Sequence, residues 1–195
     1  MALPGSISTE RGRYLQKILI GASAEVLIDW PMPTIDDLAL IGSVIVLYSY
    51  IDFNLRRFIE VLDKAKVLPA KWQGKTEKMH IGDVETILQA IPEWAPNNVL
   101  AFERIKEFRK TRNLMAHFAV RRFPNENAFV FVTKSAPDFK RVLGYDPEPG
   151  MVMTGVVDVA QTRDALKIID GLLKWLSQAT HEVEGHYLRT IGPKI

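Results

Sequence analysis

Arg112 and His117 are the two side chains in this sequence whose types and spacing best suit chemistry. They stand five positions apart at the end of a long amphipathic stretch, and Asn113 directly follows the arginine. Arg112 falls in an apolar stripe, where a charged side chain is costly unless it has a partner or a function. A guanidinium that binds anions and an imidazole that titrates near neutral pH indicate a candidate functional site.

A structural interpretation of the same residues is also open. Arg112 would then pair with a buried acid, for which Asp52 is the obvious candidate. His117 would cap the last carbonyl groups of its helix, where the helix dipole favours a cation. Residue types and spacing alone leave both interpretations standing.

Apolar residues at helical spacing predict the first two helices. Helix one should span about 9–28, and the prolines that follow Trp30 should end it. Thr34, with acidic residues in the first turn behind it, should cap a long helix two over about 35–65. On helix two, Asp52 and Tyr48 lie at the edge of the apolar face, so Asp52 is placed to meet a buried arginine.

A short helix is expected over about 83–91, and a fourth helix should start with Asn97 or Asn98 as its cap. The fourth helix repeats apolar residues at intervals of four, three, four and three, and Arg112 occupies one of these positions. The stripe consists of Ala101, Ile105, Phe108, Arg112 and Met115. Helix four should therefore carry Arg112 on its buried side and end at His117.

The periodicity changes after His117. Residues 118–123 and 128–133 are β-prone and flank a turn, which predicts a hairpin, and 151–158 add a possible third strand. The proline- and glycine-rich stretch 136–150 reads as a loop. A last helix should span about 160–188, with Asp158 and Gln161 as a capping box.

These elements predict a mainly α fold. We expect an antiparallel bundle of four to five helices with a small inserted β-hairpin or three-stranded sheet. The whole chain, 1–195, should form a single helical domain, with the insertion at about 118–157.

Composition sets further bounds on function. The net charge of +2 favours no particular partner, and the lack of cysteine removes disulfides, thiolate nucleophiles and cysteine-ligated zinc. No secretory pattern opens the chain, so we expect a cytoplasmic protein. The most apolar run, 38–51, is shorter than the roughly 18 to 20 residues that cross a bilayer, and favours a buried helix without membrane contact.

Arg112-Asn113-x-x-Ala116-His117 at the end of a bundle helix resembles the Arg-x4–6-His signature of the HEPN (higher eukaryotes and prokaryotes nucleotide-binding) superfamily. These all-α bundles include many metal-independent ribonucleases. The resemblance covers the motif, the polar residue after the arginine and the helical framework, and Asp52 matches an acidic or polar residue on the long second helix. The hairpin at 118–133 is outside it.

The resemblance implies a metal-independent endoribonuclease that cleaves RNA by 2′-OH attack, in a toxin or phage-defence role. His117 would act as acid or base, Arg112 would clamp the phosphate, and Asn113 would donate a further hydrogen bond. Asp52 would hold Arg112, with Tyr48 in support. Basic residues near the motif would follow the RNA backbone: Arg109, Lys110, Arg121 and Arg122. The alternative is a non-catalytic HEPN-like module that binds RNA, a nucleotide or a protein.

Helix geometry adds an expectation about assembly. Positions five apart on an ideal helix lie about 140° apart around its axis, so Arg112 and His117 would not converge. Either the helix loosens before His117, or the site forms between two copies, as in the twofold dimers that the resemblance implies. We therefore expect a homodimer, with RNA and possibly an antitoxin protein as other partners.

A second histidine pair invites a metal interpretation. His181 and His186 stand five apart with a glycine between them, whereas the zinc-protease pattern needs spacing of four on one helix face. Both are expected at the surface, and no metal or other cofactor is expected.

Overall fold

Helices account for most of the described chain, as the apolar periodicity predicts. The computed structural model describes residues 9–20, 22, 24–79, 83, 95–143, 146, 148–150 and 152–190. In that part of the chain six α-helices and three strands follow the order α1 (Glu10–Ile20), α2 (Ala24–Ile28), α3 (Ile35–Lys64), α4 (Ala95–His117), β1 (Ala119–Arg122), β2 (Ala128–Thr133), α5 (Ala136–Leu143), β3 (Met153–Asp158) and α6 (Val159–Thr190).

The mainly helical class and the small three-stranded sheet are confirmed. The number of bundle helices and their antiparallel arrangement stay predictions. The short helix predicted over 83–91 lies outside the described residues, apart from residue 83.

The chain divides into two compact units. The first comprises Met1–Val46 and Glu107–Ile168, and the second comprises Leu47–Lys106 and Ile169–Ile195. Helices α3, α4 and α6 each contribute residues to both. The single domain expected from the sequence stays a prediction.

The sheet forms the centre of the first unit. Its order is β1-β2-β3, and both pairings are antiparallel. The central strand β2 is buried on both faces, because Ala128, Phe129, Val130 and Phe131 are all 0% exposed. On one face, α1 and α2 cover it with a cluster of Leu15, Leu19, Leu27, Phe123, Ala128, Val130 and Val156. Burial of this apolar cluster is what holds the short first helices to the sheet.

Asp158, the last residue of β3, joins three elements of the first unit. Its Oδ1 accepts the backbone N–H groups of Ala160 and Gln161 at 2.9 and 3.1 Å, which caps α6. Its Oδ2 lies 3.2 Å from Nε of Arg11 on α1. Nη1 of Arg11 also lies 2.7 Å from Glu126 in the hairpin turn. The predicted N-cap at Asp158 is confirmed, and Asp158 is also the anchor for α1. The return bond of the predicted capping box is not formed among the described residues, because Oε1 of Gln161 has no hydrogen-bond partner there.

Three predicted elements differ in the structure. Helix four begins at Ala95, so Asn97 and Asn98, which were predicted to cap it, lie within α4. Helix one is two helices, because Ala22 N–H donates to the carbonyl of Leu19, three residues back, a tightened bond that ends α1. The loop expected over 136–150 contains α5. Ser135 Oγ accepts the N–H of Asp138 at 3.3 Å, so Ser135 caps this helix, and the sequence analysis overlooked that signal.

Helix α3 has two apolar faces. Its first turn is capped as predicted, since Thr34 and Asp37 exchange side-chain-to-backbone hydrogen bonds of 3.2 and 2.9 Å. Among the described helices it is the one long and apolar enough to cross a membrane, although 33% of its most apolar stretch is buried within the protein. Length and composition of one such helix are weak evidence for a membrane span, because core helices pass the same test. The buried helix expected here is therefore buried on one side.

The anchor of α1 gives a testable pH dependence. Hydrogen bonds from Arg11 first, and then from Tyr14, hold the pKa of Glu126 below its ordinary value. A carboxylate with a lowered folded pKa stabilises the fold above its unfolded pKa, and that contribution is lost as the pH falls through the folded pKa. Glu126→Gln should therefore lower the melting temperature at neutral pH. The difference from wild type should vanish in acid, below the ordinary range of a glutamate.

Thermal melts of both proteins from about pH 7 to about pH 3 measure this difference. Asp146→Asn is the matched control, because Asp146 pairs with Lys140 while 72% exposed and should show a much smaller effect. A difference between wild type and Glu126→Gln that stayed constant over the whole pH range would contradict the assignment.

Candidate functional site

Helix α4 places Arg112, Asn113 and His117 on its last turns, in the first unit. The helix stays regular to its end, and the N–H of Phe118 still donates to the carbonyl of Leu114 at 3.1 Å, four residues back. A loosening of the helix before His117, the first of the two routes to convergence, is therefore wrong. Arg112 and His117 of one chain point in different directions around α4.

Arg112 and Asn113 contact each other. Nη1 of Arg112 donates to Oδ1 of Asn113 at 3.1 Å, and Asn113 is 7% exposed. Nε of Arg112 is buried and has no hydrogen-bond partner among the described residues. A buried guanidinium N–H without an acceptor is costly, and such groups in native proteins call for an explanation. The burial predicted for Arg112 is confirmed for its Nε atom. The side chain as a whole is half-buried.

His117 lies at the C-terminal end of α4, where its side chain is 33% exposed. Its Nδ1 is 3.8 Å from Oδ1 of Asp138 in the first turn of α5. This separation is a charge contact when the imidazole is protonated, and it exceeds a hydrogen bond.

Asp138 is the neighbour of the site that the sequence analysis missed. It lies in the stretch 136–150, which the sequence predicts to be a loop, so the sequence does not predict its contact with His117. The spacing of Ser135 and Asp138 predicts a helix start, which would have placed an acid in a first turn. Nothing in the sequence places that turn beside His117, because the contact depends on how the sheet returns the chain to α4.

The predicted supporting residues, Asp52 and Tyr48, belong to the second unit. Tyr48 is 0% exposed, and its hydroxyl donates to the main-chain carbonyl of Ile105 at 2.8 Å. It therefore ties α3 to α4 within that unit, as a core residue and not at the edge of an apolar face. Asp52 is half-buried on α3. Its pairing with Arg112 stays a prediction.

Two of the four arginines and lysines expected to follow RNA are engaged in structural contacts. Arg122 lies 3.4 Å from Asp37, donates to Asn127 at 3.3 Å and stacks over the ring of Phe129 at 5.6 Å. Arg121 donates to the carbonyl groups of Ile28 and Val120. The contacts with Ile28 and Asp37 hold β1 against the end of α2 and the first turn of α3. Their RNA contacts stay predictions, as do those of the other two.

The other two basic candidates lie on α4, close to the motif in sequence. Lys110 is exposed and Arg109 is half-buried. Arg109, three residues before Arg112, lies about 60° from it around the helix axis, so it shares the surface that a phosphate bound at Arg112 would approach. Lys110, two residues before Arg112, lies about 160° away, on the other side of the helix. On position, Arg109 is therefore the stronger candidate, and an RNA contact of Lys110 stays a prediction.

The second histidine pair lies on α6. His181 and His186 are both exposed, as expected. No group of three or more histidine, aspartate and glutamate side chains in the described ranges is arranged to hold a metal ion. Phe118 and Phe123, the aromatic residues that follow the motif, are 6% and 3% exposed, so their rings belong to the core and are not available to stack on RNA bases.

Removal of the Tyr48 hydroxyl tests its structural assignment. Tyr48→Phe should lower the free energy of unfolding by about 1 kcal/mol, because it takes away one buried hydrogen bond and leaves the ring packing in place. Chemical denaturation of wild type and variant gives the value. Tyr14→Phe is the control, since the hydroxyl of Tyr14 bonds to Glu126 at an exposed position and should matter less. Equal losses in the two variants would contradict the assignment.

A scan against protein-family models, a search of curated proteins and a search of solved structures each found no match to this chain. The geometry of the site is therefore the evidence that bears on its function.

Proposed function

We propose that this protein is a metal-independent endoribonuclease of the HEPN type, with Arg112 and His117 as its catalytic residues. One observation carries the proposal: a buried guanidinium N–H of Arg112 has no acceptor among the described residues, while His117 stands exposed on the same helix end. An anion bound at Arg112 would supply the missing acceptor. The resemblance of the motif to HEPN ribonucleases supports the choice of a phosphodiester as that anion.

Each residue then has a defined role in the reaction. The 2′-oxygen attacks phosphorus and the bond from phosphorus to the 5′-oxygen breaks, which leaves a 2′,3′-cyclic phosphate and a 5′-hydroxyl. One imidazole takes the proton of the 2′-OH, and another donates a proton to the leaving oxygen. Arg112 stabilises the charge on the phosphorane, and Asn113, whose Oδ1 is used by Arg112, offers its amide N–H.

Two imidazoles imply two copies of the chain. Each chain brings one His117, and the regular helix keeps Arg112 and His117 of that chain from converging. A homodimer with both motifs around one cleft provides acid and base together. This assembly is part of the proposal, and so is a role as a toxin or defence effector, which follows from the resemblance.

The proposal is tested by incubation of the purified protein with RNA in EDTA. Wild type should cleave. His117→Ala should lose at least about 100-fold in rate, the usual contribution of an acid or base. Arg112→Ala should also lose at least about 100-fold, the usual contribution of a group that stabilises charge in the transition state. His181→Ala is the matched control, because His181 is an exposed histidine on α6 and should leave the rate unchanged. Thermal melts of all four proteins show whether each variant is folded.

The other outcomes separate the rival interpretations. No cleavage of any RNA by wild type, or cleavage that survives both substitutions, would overturn the proposal. RNA binding that survives His117→Ala but not Arg112→Ala, without cleavage, would indicate a binding module. If Arg112→Ala lowers the free energy of unfolding by about 3 to 5 kcal/mol, Arg112 forms a structural ion pair with Asp52.

A further inference from the structure

The outward side of α3 carries an unpartnered apolar surface. Its members recur every three or four residues and leave much of each large side chain exposed: Ile35 85%, Leu38 52%, Val46 55%, Tyr50 56% and Phe53 58%. We call this surface, together with Ala39, Gly42 and Ser43 between its large members, the outer face of α3. The opposite face is buried, with Val44, Ile51 and Leu55 at 5% exposed or less.

Residues along one continuous helix keep a fixed relation, so this face can be described on α3 alone. From Ile35 to Phe53 it runs about 27 Å at the ordinary helical rise. Exposed apolar surface of this extent marks an interaction site.

When two copies of the outer face lie antiparallel, the side chains of one copy are complementary in size to those of the other. Its aromatic side chains, Tyr50 and Phe53, lie after Val46, and its small residues, Ala39, Gly42 and Ser43, lie before it. Tyr50 and Gly42 lie equally far from Val46, four residues after it and four before it. Phe53 and Ala39 form a second such pair, seven residues after Val46 and seven before it. Apart from the adjoining residues and backbone of α3 itself, no atom of the described residues lies within 4 Å of the place where a Cβ on Gly42 would sit, so the face has open space there.

We propose that the outer face of α3 binds the same face of a second copy of this chain, antiparallel, about a twofold axis at Val46. Tyr50 of one copy then enters the hole formed by Ala39, Gly42, Ser43 and Val46 of the other. These hole positions, i, i+3, i+4 and i+7, are those that receive a knob in paired helices. Phe53 enters the next hole, formed by Ile35, Leu38, Ala39 and Gly42.

Charge fixes the same orientation. Asp36 and Arg57 are exposed near opposite ends of the face, ten residues before Val46 and eleven after it. The antiparallel arrangement brings Asp36 of each copy level with Arg57 of the other. A parallel arrangement would set like charges and like large rings against each other, which costs free energy. An isologous, antiparallel pair is therefore the arrangement that satisfies both size and charge.

This inference rests on the proposed function only where that function needs two copies, and it names the surface on which they meet. Its test is the oligomeric state, measured without RNA by light scattering on the full chain. Wild type should be a dimer, and Val46→Arg should weaken dimerisation more than about 100-fold, since it sets two cations together at the twofold axis. Leu100→Arg, at an apolar position 60% exposed on α4, is the control and should remain dimeric.

A second variant excludes unfolding as the cause. Gly42→Leu fills the hole for Tyr50, and it should favour the monomer while raising the intrinsic helix propensity of α3. A cysteine gives a positive test, because the chain has none. Val46→Cys should form a disulfide-linked dimer on mild oxidation, whereas Lys167→Cys, at a side chain 80% exposed on α6, should form far less.

Several results would overturn the inference. The first is a wild type that is monomeric at all concentrations. The second is a dimer that both Val46→Arg and Gly42→Leu leave intact. The third is a monomer that binds lipid vesicles through the outer face and floats with them on centrifugation. The activity test is separate. If the two variants disrupt the dimer but the wild type cleaves no RNA, the interface is supported and the proposed function is wrong. If the wild type cleaves RNA but neither variant affects its dimer, the proposed function is supported and the interface is wrong.

Discussion

The carboxylate of Asp158 is the interaction on which the first unit of this protein depends. It ends β3, accepts the first free N–H groups of α6 and binds Arg11 of α1 at 3.2 Å. A helix of 32 residues begins at this cap. Because one side chain satisfies a helix start and an ion pair, the direction of α6 and the position of α1 on the sheet are set together. Glu126 completes the arrangement by binding the same arginine from the hairpin turn. The sheet that the insertion contributes is thus not an appendage to the helices, since the N-terminal helix and the C-terminal helix are both fixed at its edge.

The same sheet gives the candidate site its surroundings. It follows α4 directly, and the chain after β2 returns as α5, whose first turn brings Asp138 to 3.8 Å from His117. A histidine at a helix end could be a simple cap, but here it has both an acid on one side and exposure on the other. Arg112, one turn and a half earlier, has a buried donor without an acceptor and a neighbouring amide that holds its other end. The cost of that unsatisfied donor is the physical reason to look for an anion.

Helix α3 shows why hydropathy alone does not identify the environment of a helix. Its apolar run could be read as a buried core element or as a membrane span, and both readings assume that one kind of environment surrounds the helix. In the structure one face packs in the protein and the other is exposed, with Tyr50 and Phe53 standing beside the small residues that precede Val46. A helix apolar on two faces needs two partners. The first is its own chain, and we infer that the second is another copy.

The sequence by itself determined what depends on local chemistry. Periodicity placed α3, α4, the strands and α6 to within a few residues, and capping residues placed the starts of α3 and α6 but not that of α4. The position of Arg112 in an apolar stripe predicted a buried donor. Helix one and the stretch 136–150 were misjudged because a three-residue closing bond and the cap at Ser135 are short-range features that periodicity does not register. Tertiary structure alone decided the contacts between residues far apart in the chain: Asp138 beside His117, Arg11 on Asp158, and the hydroxyl of Tyr48 on α4. Such contacts depend on how the sheet and the helices pack, which the order of residues along any single element does not specify.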